Sequence, residues 1–159
     1  MRHTRPKLAR AAGVAMIDAI AIKLRLRELY PNAVTPPWPA DATYQPADPS
    51  WVSGKLFGAY KRLMFWAGLT RWKTTHDCDN KSRTFMCAAL ACWGAHAKPR
   101  DAESMCVGRI SYQIDGRGWH SINVVLVGQE MRPVYIEPQG PRFAHLSESE
   151  VASVRFVEM

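Results

Sequence analysis

The chain has 159 residues, 47% of them hydrophobic and 22% charged, and a formal net charge of +7. That size suits one domain over residues 1–159 with a real core, and excludes a small scaffold held together by disulfides. No apolar run reaches the roughly 18 residues that a membrane span needs.

The first 30 residues carry seven basic side chains against two acidic ones, Asp18 and Glu28. Residues 11–22 are apolar behind a basic start, as in a secretory leader, but Asp18 interrupts them and Lys23, Arg25 and Arg27 follow. A basic N-terminal helical arm over 1–30 is expected instead, beginning at 4–12, and with it a cytoplasmic location. Val14, Ile17, Ala21 and Leu24 follow the helical period, and Pro31-Asn32 is the stop signal. Such an arm suits an acidic protein, a host protein or a membrane surface. It carries no aromatic-interleaved basic motif, which argues against nucleic acid.

Six prolines between 31 and 50 predict a wrapping segment without regular structure, pinned by Trp38 and Tyr44. A second helix is expected from Ser50 as N-cap to Ala67-Gly68, with Val52, Leu56, Ala59, Tyr60 and Leu63 on one face. A central helix follows over 81–93, where Phe85, Ala88, Ala89 and Cys92 form a narrow stripe suited to close packing on a sheet. Beyond a loop at 94–103 the period changes to that of strands, at 105–114, 120–127, 133–136 and 151–157, with turns at 115–118 and 128–131. Helices first and antiparallel strands after them predict an α+β domain with the central helix packed on the sheet.

Three residues carry the chemistry. Cys78 stands just before the central helix, where unpaired N–H groups and partial positive charge favour a thiolate. The Asp115-Gly116-Arg117-Gly118 turn delivers His120 to the start of a strand, facing that helix, where its imidazole would take the thiol proton. Glu137, ending the next strand before Pro138, would orient the imidazole through its other nitrogen. Cysteine, histidine and carboxylate in this order are the parts of a thiol hydrolase. Trp72 and Trp119 are candidates for the wall of a substrate cleft. Cys92 and His96 lie one turn apart, but no CxxC pair accompanies them to suggest zinc.

The blocks Asp77-Cys78-Asp79-Asn80, His120-Ser121-Ile122-Asn123 and Glu137-Pro138-Gln139 resemble the papain-like cysteine protease domain of the mushroom (Marasmius-type) agglutinin and its bacteriophage and bacterial relatives. The resemblance spans residues 38–159 and is specific in the three blocks. It implies a papain-like fold, with Cys78 as nucleophile, His120 as base and Glu137 as orienting carboxylate. The implied reaction is hydrolysis of a peptide or isopeptide bond through a thioester. It also implies a calcium or manganese ion held at positions matching Asp79, Asn80 and Gln139, although Asn80 replaces a second aspartate and weakens a hard-cation site. The alternative is a catalytically inactive phage accessory protein that binds or inhibits a host protein in the bacterial cytoplasm.

Overall fold

A computed structural model describes residues 15–34, 39, 41–95, 102–114 and 117–159. The expectations for residues 1–14, Trp38, His96 and Asp115-Gly116 lie outside them.

The chain enters through a short strand, β1 (Ile17–Asp18), and Asp18 then caps α1 (Ala19–Leu29) by accepting from the Ala21 N–H at 2.7 Å. The residue read as an interruption is therefore the start signal, and within the described residues the helical arm begins at Ala19. Tyr30 ends it ahead of Pro31, as the stop signal predicts. The proline-rich segment is not wholly irregular, because β2 (Thr43–Gln45) pairs antiparallel with β1.

The second helix is capped by Asp48, not Ser50: the Asp48 carboxylate accepts from the Ser50 N–H at 2.8 Å, and Pro49 takes the first helical position. Proline is favoured there because its missing N–H has no intrahelical partner to lose. α2 (Pro49–Trp51) passes through a π-helical stretch, Val52–Leu56, into α3 (Phe57–Trp66). An i→i+5 stretch takes more residues per turn than an α-helix. The buried face consequently falls on Val52, Leu56, Phe57, Tyr60 and Met64, while Leu63 is exposed and Ala59 half-buried.

α4 (Cys78–Gly94) starts three residues before the expected position, with Asp77 as N-cap. Phe85, Ala88 and Ala89 are buried as the stripe predicts, joined by Lys81 and Ser82, whereas Cys92 is only half-buried. The expected strand at 105–114 divides into β3 (Ser104–Met105), parallel to β2, and β4 (Val107–Ile114). β5 (Gly118–Val127) and β6 (Arg132–Glu137) match their expected spans closely, and β7 (Arg142–Ala144) adds an unforeseen edge. The strand expected at 151–157 is a helix followed by a strand. Ser147 and Glu150 form a capping box that launches α5 (Glu148–Ala152), and only β8 (Phe156–Glu158) is extended.

The larger sheet has the order β7-β6-β5-β4-β8, antiparallel throughout, so the domain is α+β. Successive side chains of β5 point to opposite faces. Ile122, Val124 and Leu126 join the Ile22, Leu26 and Tyr30 side chains of α1 in one core cluster. Val125 and Val127 join Phe85 of α4 and Leu56 and Tyr60 of the α2–α3 helix in the other. Phe85 meets the Tyr60 ring edge-on, centroids 5.1 Å apart. Gly108 lets β8 approach, since a Cβ there would collide with the Glu158 carbonyl oxygen. Among the described residues no helix is long and apolar enough to cross a membrane.

Candidate functional site

Two buried polar residues of the sheet fix where α4 begins. Asn123 donates through Nδ2 to the Ser82 carbonyl at 2.9 Å and to the Gly108 carbonyl at 3.0 Å, tying the first turns of the helix to β4 and β5. Arg109, also buried, reaches Asp79 Oδ2 with Nη1 at 3.4 Å and Glu158 Oε2 with Nη2 at 3.1 Å, and lies over the Phe156 ring. The buried guanidinium has its charge paired with two carboxylates that remain partly exposed to water, while its Nε has no hydrogen-bond partner. Sequence reading missed Arg109; an arginine inside a strand carries no local signal of the partner it will find.

His120 and Glu137 meet directly. His120 Nε2 and Glu137 Oε2 are 2.8 Å apart, with side chains 14% and 13% exposed. The Gln139 backbone N–H donates to the other oxygen, Oε1, at 2.8 Å. Burial pushes the Glu137 carboxyl up. The hydrogen bond from His120, the Gln139 N–H and the charges of His120 and Arg142 outweigh that, leaving it below the ordinary carboxylate range.

Tyr112, a second residue missed in the sequence, is the cross-strand partner of His120, their rings edge-on with centroids 5.8 Å apart. Burial first, and then the charges of Glu150, Glu137 and Cys78, push its hydroxyl up to about 12. His120 and Glu137 thus meet at one rim of the sheet, and Cys78 opens α4, the helix packed on β4 and β5. His120 Nε2 is engaged by Glu137, the contact expected of the orienting carboxylate, and no hydrogen bond joins the Cys78 thiol to the imidazole.

The cation expected at Asp79, Asn80 and Gln139 meets competitors. The Asp79 carboxylate faces Arg109 and, at 3.7 Å, Arg83, while the Asn80 side-chain amide donates to the Thr75 carbonyl. A divalent ion at Asp79 would sit against two guanidinium groups. Among the described residues, no three or more His, Cys, Asp or Glu side chains could hold a metal together. The set does not fit a calcium or manganese site, which needs several free oxygen ligands.

Trp119 is 59% exposed and Trp72 58%. By strand alternation Trp119 shares the face of β5 with Ser121 and Asn123, the face α4 covers, and stands beyond them at the open end of the strand. Trp72 lies in the segment leading to Cys78.

No family model and no curated sequence matches the chain. Solved structures share its fold, two of them as follows. One is titled as Polyporus squamosus lectin bound to the human-type influenza-binding epitope Neu5Aca2-6Galb1-4GlcNAc, with TM-score 0.66, 16% identity and coverage of 91% of this chain and 49% of that one. The other, titled "PSL1a-E64 complex", has TM-score 0.68, 16% identity and coverage of 91% and 51%. The chain therefore spans about half the length of the solved chains it resembles. At that identity the likeness shows the fold.

These neighbours correct the expected function. The first title names a lectin and not a papain-like protease, so the resemblance to a papain-like protease domain, the cysteine hydrolase, its peptide substrate and the inactive host-protein-binding counterpart are withdrawn. The physical reason is visible at the rim. Cysteine, histidine and carboxylate at element boundaries are a pattern that several chemistries share, and here the thiol is not bonded to the imidazole that would have to activate it.

Proposed function

We propose that the chain binds carbohydrate at the rim where His120 and Glu137 meet. His120 and Glu137 form the polar centre, Cys78 lies on the side of α4, and Trp119 and Trp72 supply aromatic surface. A sugar ring presents hydroxyls around its edge and C–H groups on its faces. It is held by planar polar groups fixed in advance and by an aromatic face for stacking. The observation that carries the reading is the fixed His120–Glu137 pair near the start of β5, flanked by the exposed indole of Trp119 on the other face of the strand. A shared fold with a lectin whose title records a bound sialylated glycan supports it.

Isothermal titration with that trisaccharide and with its desialylated disaccharide tests the proposal. Binding is expected, and Trp119→Ala should weaken it about tenfold, the equivalent of one aromatic stack of about 1.4 kcal/mol. Absence of binding at millimolar glycan, or an affinity unchanged in Trp119→Ala, would refute it.

A further inference from the structure

The end of α3 carries an apolar knob that the rim does not use. Phe57, Tyr60 and Met64 form the buried face of that helix. Its outward side carries Arg62, Phe65 and Trp66; the arginine is three and four residues before the two rings, so the three are neighbours on the helix surface. Phe65 is 72% exposed and Trp66 84%, and Leu63 beside them is also exposed. Single exposed hydrophobics are ordinary, but two adjacent aromatics and a leucine within four residues form a patch. The two rings meet edge-on, centroids 6.4 Å apart, and still face water.

The backbone holds this knob in place. Gly68, at a φ of 67°, ends the helix: its N–H donates to the Phe65 carbonyl at 3.0 Å, and the Leu69 N–H to the Met64 carbonyl at 2.8 Å. Lys73 reaches back with Nζ to the Gly68 carbonyl at 3.2 Å. The charge around the knob has one sign. From Pro49 to His76 the sequence holds Lys55, Lys61, Arg62, Arg71 and Lys73 and no acidic residue, a charge of +5. All five are exposed, and none pairs with a carboxylate among the described residues.

Exposed rings beside unpaired cations suit the boundary of an anionic bilayer, where the rings enter the headgroup layer and the cations meet lipid phosphates and carboxylates. A second copy of the chain would set one +5 surface against another. Single-stranded nucleic acid stacks on aromatics that line a basic groove, whereas these rings stand clear of the surface. We infer that the end of α3 docks the protein on an anionic membrane surface, with Phe65 and Trp66 inserting and Arg62, Arg71 and Lys73 holding headgroups. This goes beyond carbohydrate binding and does not depend on it.

Flotation of the full chain with vesicles of phosphatidylcholine, with and without phosphatidylserine, tests the inference. Neither lipid carries a sugar, so the rim has no ligand there. Binding is expected on the vesicles that contain phosphatidylserine, and should weaken as salt is raised. Trp66→Ala and Phe65→Ala should each weaken it about tenfold, and Arg62→Gln about fivefold. All three side chains are exposed, so the variants should melt as the wild type does. Brominated acyl chains should quench tryptophan emission in the wild type and much less in Trp66→Phe, although that variant still binds. No binding to the anionic vesicles, equal binding to neutral ones, or an affinity unchanged in both Trp66→Ala and Phe65→Ala would overturn the inference. So would a single-stranded oligonucleotide, or a second copy of the chain, held through the same residues while vesicles are not.

Discussion

Replacing Glu137 by glutamine tests the centre of the rim, because it keeps the shape and removes the charge. The wild-type carboxylate accepts from His120 and from the Gln139 N–H, both at 2.8 Å, with a side chain only 13% exposed. Hydrogen bonds to a charged group contribute about 1.5–3 kcal/mol each when little solvent screens them, and glutamine recovers part of that with a neutral oxygen. A net loss of about 2 kcal/mol at pH 7 is expected, a fall of roughly 4–8 °C in Tm for a chain of this size. The pH dependence supplies the sharper check. The folded carboxyl is held below its ordinary value of 4.5, so the folded state binds its proton less readily than the unfolded state does. The stability that Glu137 contributes is therefore fully present above that ordinary value and is lost as pH falls through the folded one. Urea unfolding of both proteins at several pH values should show the gap between them narrowing steadily below the ordinary carboxylate range. A gap of the same size at neutral and acid pH would refute the assignment of a charged carboxylate to this contact.

Two further outcomes follow from the packing. Phe85→Ala removes the ring that locks α4 against Phe57 and Tyr60, and should cost about 3–5 kcal/mol in chemical denaturation; a loss under about 1 kcal/mol would show that α4 is held by other contacts. Millimolar calcium or manganese should leave the thermal midpoint unchanged, because Arg109 and Arg83 occupy the Asp79 carboxylate. A rise reversed by chelation would show that an ion displaces them.

Much of the frame was legible because it is written in near neighbours. Small residues at helical spacing announced α4, period-two hydrophobics announced β4, β5 and β6, and Gly128 closes the expected turn with a positive φ of 69°. Local chemistry also misled. Pro49 looked like a breaker and is a first helical residue, and Val151 looked like strand although the Ser147–Glu150 capping box had already started a helix. The shift of the buried face from Leu63 to Met64 came from a π-helical stretch that no spacing rule anticipates.

What the residues alone determined is where reactive groups sit along the elements: Cys78 at the approach to a helix, His120 near the start of a strand, Glu137 at the end of another. Tertiary structure decided which of them touch. His120 finds Glu137 across 17 residues, Arg109 finds Asp79 across 30, and the Cys78 thiol makes no hydrogen bond to the imidazole. Helices and strands are set by interactions a few residues apart, which sequence displays. Contacts between side chains distant along the chain depend on how those elements pack, and that is settled only when the two cores close on either face of the sheet.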